Sequence, residues 1–138
     1  MKYRWLFIVS TSNSVGRGHL NRSITLASEI SKKINVDFYS NDRGGYSSEI
    51  IKKNKNIKFY RSGLEKINLK KYLGVVIDIK KNNKILIKKI SKIENSAIIS
   101  DYNKKISDIK TIISPVLEKS NKLNKNQSAL LGSKYYLI

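Results

Sequence analysis

The sequence predicts an α/β fold in which a parallel sheet carries helices on both faces. Short apolar runs of about five residues alternate with amphipathic segments along the chain, and this alternation is typical of βαβ units. Two of the runs, Trp5–Ser10 and Tyr72–Asp78, are almost continuously apolar, as expected of strands that are buried on both faces. Right-handed crossovers would join such strands.

Each element follows from periodicity and from the turn residues that bound it. Leu20, Ile24 and Ala27 recur at helical spacing and predict the first helix, with Glu29 and Lys33 paired on its solvent side. The predicted strands are Trp5–Ser10, Val36–Ser40, Ile57–Tyr60, Tyr72–Asp78, Ser96–Ser100 and Thr111–Ser114, and the predicted helices are His19–Ile34, Tyr46–Lys53 and Lys84–Ile93. Polar connections are expected over Arg61–Lys71 and Leu117–Ser128. The pattern predicts one Rossmann-like domain over residues 1–138.

The amino-acid composition excludes several kinds of catalytic and metal site. The chain has 138 residues, of which 40% are hydrophobic, with no cysteine and one histidine. A thiolate nucleophile, a disulfide and a multi-ligand Cys or His metal site are therefore excluded, and we expect no metal and no cofactor. The apolar run after Met1–Arg4 is too short for a secretory signal, and no run reaches the length of a membrane span. The chain is expected to be cytoplasmic.

The net charge of +18 admits two interpretations. It predicts either a surface for nucleic acid or anionic membranes, or simply a composition rich in Lys, Ile and Asn. Lysine outnumbers arginine 23 to 5 within the 28 basic residues, whereas proteins that read nucleic acid rely on arginine. The charge thus favours compositional bias, with no specific nucleic-acid partner and a weak contact with anionic membrane surfaces.

The segment Ser14–Arg22 is the main candidate for a site. Gly16 and Gly18 allow a tight turn between the first strand and the first helix, and backbone N–H groups at a helix N-terminus can hold a phosphate or sugar oxygen. Histidine is the residue type whose unperturbed pKa is near neutral, so His19 could act as a general base, with Arg22 one turn further on to bind an anion. A histidine that merely starts the helix is the competing interpretation.

Other polar residues are expected at the same edge of the sheet. Asp78 and Asp101 follow two later strands, and Asn41–Arg43 follows the second. Because ligands of parallel sheets bind at the carboxyl ends of strands, these residues should converge with the His19 turn; capping of the next element is the alternative role for both acids. The turn lacks the third small residue of a dinucleotide fingerprint and the Gly-Lys-Ser/Thr of a P-loop.

The residues Gly16-x-Gly18-His19-x-x-Arg22 resemble the Gly-x-Gly-His-x-x-Arg signature of the pseudaminic-acid-pathway UDP-sugar hydrolases, which are related in fold to MurG-type glycosyltransferases. Val75–Asp78 and Ile98–Tyr102 are similar to two later strand-plus-acid segments of that family. Leu130–Ile138 is similar to its Leu-Leu-Gly-x-x-Tyr-x-Leu stretch. The resemblance covers nearly the whole chain in order.

The resemblance implies one half of a GT-B architecture. His19 would activate water for attack at the anomeric carbon of a UDP-sugar, in nonulosonic or pseudaminic acid biosynthesis. Substrate would be bound by Gly16, Arg17, Gly18, Arg22, Asp78 and Asp101. In the family a C-terminal nucleotide-binding domain follows the Leu-Leu-Gly stretch, so that domain is expected to be absent from these 138 residues. The chain would then be either a truncated enzyme or one half that a separate partner chain completes, with feeble or absent turnover by itself.

Two further hypotheses stay open. A glycosyltransferase of the same architecture, or its acceptor-binding half, would use the same turn to hold an acceptor and His19 to deprotonate its hydroxyl. A non-enzymatic basic binding module would instead bind nucleic acid with a steep salt dependence.

Overall fold

Seven parallel strands form one sheet in the computed structural model, which describes residues 3–9, 18–40, 52–79, 83–99, 109–114 and 128–131. The strands are β1 (Arg4–Val9), β2 (Asn35–Ser40), β3 (Ile57–Tyr60), β4 (Gly74–Asp78), β5 (Asn95–Ile99), β6 (Thr111–Ser114) and β7 (Ser128–Leu131). Their order across the sheet is β3-β2-β1-β4-β5-β6-β7, and every neighbouring pair is parallel. The predicted parallel sheet is confirmed.

Helices cover both faces of this sheet. Helix α1 (Gly18–Ser31) packs Leu20, Ile24 and Ala27 against one face, which we call the α1 face. Helix α2 (Lys84–Ile90) packs its two buried isoleucines against the other, the α2 face. The apolar side chains of the buried strands are divided between the two faces of the sheet, and a helix packs on each face. This arrangement confirms the predicted α/β, Rossmann-like class.

Helix α1 ends earlier than its apolar periodicity predicts. It stops at Ser31 rather than Ile34, where Asn56 Nδ2 donates to the Ser31 carbonyl (2.9 Å) and Asn54 Nδ2 donates to Ser31 Oγ (2.6 Å). These side chains satisfy groups of the last turn, which would otherwise lack partners. Glu29 pairs with Lys32, three residues further on (2.7 Å), and not with Lys33 as predicted.

Three segments depart from the predicted pattern in other ways. The connection Arg61–Lys71 contains two 3-10 turns, Leu64–Lys66 and Leu69–Lys71, whose leucines pack on the α2 face. The strand β7 was not predicted, because Ser128 ends the polar run assigned to a connection and only three apolar residues follow it before Gly132. Helix α2 is three residues shorter than predicted. The predicted helix Tyr46–Lys53 lies mostly outside the described residues.

A close contact between β1 and β4 depends on a glycine. Gly74 is the register partner of Trp5, and a Cβ atom added to Gly74 would lie 2.7 Å from two atoms of the indole ring. Real Cβ atoms do not approach other heavy atoms so closely. Glycine is thus the residue that lets the ring of Trp5 lie across the neighbouring strand.

Replacing Gly74 with alanine should lower the free energy of unfolding by about 1–3 kcal/mol, since the added methyl group overpacks the contact with Trp5. Urea unfolding followed by circular dichroism measures the change. In a Trp5→Leu background the same alanine should cost clearly less. An equal cost in both backgrounds would show that the ring is not the reason.

Candidate active site at the carboxyl edge of the sheet

The order of the strands reverses direction between β1 and β4. Strands β2 and β3 lie on one side of β1, and β4 to β7 follow on its other side. In open parallel sheets, ligands bind in the crevice outside the carboxyl ends of the strands at such a switch point. Val9 and Asp78, the last residues of β1 and β4, are register partners and mark this point.

A buried cluster joins α1 to the end of β4. Arg22 donates to Asp78 through two nitrogens, Nε to Oδ2 and Nη2 to Oδ1, each at 2.7 Å. Ser23 Oγ donates to Asp78 Oδ2 at 3.0 Å. The Asp78 side chain has no exposed surface and that of Arg22 is 11% exposed. The two-pronged pairing is the strong, directional form of an arginine–carboxylate contact.

The predicted histidine lies at the start of α1. The helix begins at Gly18, so the backbones of Gly18 and His19 form its first residues, one turn before Arg22. A helix of 14 residues carries partial positive charge and unsatisfied N–H groups at this end. The first turn of α1 is therefore suited to an anionic group at the switch point.

The structure brings together some of the predicted site residues. Arg22 and Asp78 are in direct contact, and Gly18 and His19 lie in the same first turns of α1. Gly16, Arg17, Asp101 and the turn Asn41–Arg43 lie outside the described residues, so their expected convergence stays a prediction. The side chain of Asp78 accepts hydrogen bonds from Arg22 and from the neighbouring Ser23, which makes Ser23 part of the site.

Sequence reasoning missed a second ionic cluster, on the α2 face. Asp37 of β2 accepts hydrogen bonds from Arg4 through Oδ1 and from Tyr72 through Oδ2, the latter at 2.8 Å. The pKa of Arg4 is raised, chiefly by its hydrogen bond to Asp37. A carboxylate inside the apolar strand Val36–Ser40 was the available signal, because a buried charge requires a partner.

This cluster predicts a dependence of stability on alkaline pH. Burial, and then the hydrogen bond to Asp37, raise the pKa of Tyr72 well above its ordinary value of 10.0. The folded protein thus holds this proton more tightly than the unfolded chain, and the associated stability is complete below pH 10 and lost as the pH rises towards the folded pKa. Unfolding free energies measured between pH 9 and about 12 should fall more steeply for the natural protein than for Tyr72→Phe. Parallel curves would contradict the assignment.

The buried polar side chains of the described residues all form hydrogen bonds within the protein. In the same part of the chain, three or more His, Asp or Glu side chains are nowhere grouped as metal ligands would be. None of the helices described is both long enough and apolar enough to cross a membrane.

Comparison with known proteins adds no relative to this picture. No family model matches the chain, and neither the curated proteins nor the solved structures yield a significant match.

Proposed function

We propose that this protein processes nucleotide sugars, most specifically as a UDP-sugar hydrolase in which His19 activates water at the anomeric carbon. The proposal includes a cytoplasmic location and a role in nonulosonic or pseudaminic acid biosynthesis. It also includes a second, nucleotide-binding domain as partner, because the family that the sequence resembles closes its cleft with two domains.

One observation carries the proposal: α1 begins at Gly18, inside the Gly16-x-Gly18-His19-x-x-Arg22 motif and next to the switch point. The described part of the motif, from Gly18 to Arg22, therefore begins beside the part of a parallel sheet where ligands bind. A histidine there can take a proton from water at neutral pH. The helix N-terminus supports the leaving diphosphate, whose negative charge increases as the glycosidic bond breaks.

Whatever the origin of its lysine-rich composition, a chain with a net charge of +18 attracts anionic ligands of many kinds. A positive field raises the local concentration of a nucleotide sugar and speeds its encounter with the site. The same field accounts for the weak contact with anionic lipid headgroups that forms part of this proposal.

Replacing His19 with alanine should slow the release of UDP from a UDP-sugar by about a hundredfold or more, because the general base is lost. The assay uses a panel of UDP-sugars at high protein concentration, with phosphorus NMR to follow UDP and chromatography to follow the sugar. Glu29→Ala, on the exposed side of the same helix, is the matched control and should retain the natural rate.

The products separate the related functions. UDP with free sugar supports hydrolysis, whereas a glycosylated acceptor identifies a transferase that uses the same base. Release of UDP at the natural rate by His19→Ala would refute the assigned role. Tight, salt-steep binding of DNA or RNA that survives His19→Ala, without any turnover, would replace the proposal by a basic binding module.

A further inference from the structure

We infer that Asp78 is a positioning residue, which holds the first turns of α1, and with them the backbone of His19, against the end of β4. It acts through Arg22 and Ser23. The inference rests on the proposed function, because it assigns a task to residues of the same site, but its structural part is testable without turnover.

The contacts suit positioning better than ligand binding. A carboxylate with no exposed surface is not accessible to a ligand from solution. Its two oxygens instead accept three hydrogen bonds from two adjacent helical residues, Arg22 and Ser23. The planar guanidinium of Arg22 binds both carboxylate oxygens, so the pair fixes the distance between α1 and β4 and the orientation of the helix. A single apolar contact would not fix both.

Asp78 also contacts the elements on both sides of residues 10–17, the segment that joins β1 to α1 and contains the first glycine of the motif. Its backbone lies in register with Val9, where β1 ends, and its side chain binds Arg22, just after α1 begins at Gly18. The intervening residues 10–17 include Gly16 and Arg17. One residue of β4 therefore defines the spacing between the strand and the helix that this segment joins.

The energetics agree with such a role. A buried ion pair gives little net stability compared with well-packed apolar residues of the same volume, because both charges lose their hydration. Its best-attested use is to select one arrangement among several that would otherwise be similar in energy. At the end of β4, the arrangement selected is the placement of the first turns of α1 at the switch point.

The chain offers a matched control for this inference. Arg4 and Asp37 form a similar buried pair, with the aspartate side chain 8% exposed. That pair lies on the α2 face, and Arg4 is at the opposite end of β1 from Val9. Asp37→Asn therefore perturbs the same chemistry away from α1.

NMR provides a readout that does not depend on activity. His19 is the only histidine, so the cross-peak of its imidazole Cε1–Hε1 group is identified without ambiguity. Asp78→Asn should displace this cross-peak and should speed amide exchange at Arg22–Thr25 by at least about tenfold relative to Ser28–Ser31. Ser23→Ala, which keeps both charges, should change both in the same direction, whereas Asp37→Asn should change neither.

The outcomes separate the two proposals. If the natural protein releases UDP, Asp78→Asn should lower kcat with little change in KM, because a displaced base loses rate rather than binding. If the chain releases none without the second domain, the NMR result decides the positioning role by itself, independently of the proposed function. An unmoved His19 cross-peak with unchanged exchange at Arg22–Thr25 would overturn the inference. If Asp78→Asn does not fold, the same measurements on Ser23→Ala decide it.

Discussion

Replacing Asp78 with alanine is expected to lower the free energy of unfolding by about 3–5 kcal/mol, because it leaves the guanidinium of Arg22 buried without its carboxylate. The side chain of Arg22 is only 11% exposed, so water replaces little of the lost interaction. Ser23 loses an acceptor as well. Since a domain of this size is stable by only about 5–15 kcal/mol, this single change removes a large share of its stability.

Urea unfolding followed by far-ultraviolet circular dichroism measures the loss. Glu29→Ala is the control, because its pair with Lys32 is exposed, with side chains 62% and 66% accessible. That change should cost less than about 1 kcal/mol. A loss for Asp78→Ala no larger than for Glu29→Ala would show that the buried pair is not required for the fold.

The second large effect is expected in the apolar core. Phe38→Ala should cost about 3–5 kcal/mol, because it removes a fully buried ring and leaves a cavity that the rigid sheet cannot close. Phe38 lies between the rings of Phe7 (centroids 5.9 Å apart) and Phe59 (6.2 Å) on the α1 face. Its removal therefore opens the contact between three neighbouring strands at once.

The matched control for this change is Ile85→Ala. Ile85 belongs to α2 but is 72% exposed, so its truncation removes little buried area and should change stability by no more than about 0.5 kcal/mol. Both proteins are unfolded in urea under the same conditions. Equal midpoints for the two variants would contradict the assignment of Phe38 to the core.

Much of the fold could be predicted because parallel strands that are buried on both faces leave continuous apolar runs. Trp5–Val9 and Val75–Ile77 stand out for this reason, and helix α1 stands out by its periodicity. The end of α1 could not be predicted, because it depends on Asn56, which is 25 residues away from Ser31 in the sequence. Strand β7 was missed because it begins at Ser128, inside a polar run, and has only three apolar residues after it.

For the candidate site, the positions of its residues in the sheet could be predicted, but the side-chain pairings could not. Topology alone places Asp78 and the start of α1 at the carboxyl edge of the sheet, and the sequence pattern predicts both positions. The pairing of Arg22 with Asp78 could not be predicted, because a strand pattern gives the edge to which a residue belongs but not the rotamer that joins it to a neighbour. The cluster of Arg4, Asp37 and Tyr72 was missed for the same reason, since its three members belong to separate segments.

The contact between Trp5 and Gly74 has a consequence for the order in which the chain assembles. Trp5 is the only tryptophan, and its ring lies across β4, the strand that joins β1 from the far side of the switch point. Its fluorescence therefore reports the pairing of β1 with β4 across the switch point. Because this pairing joins segments far apart in sequence, its closure is expected to be slow. The tryptophan signal should then lag behind ellipticity during refolding.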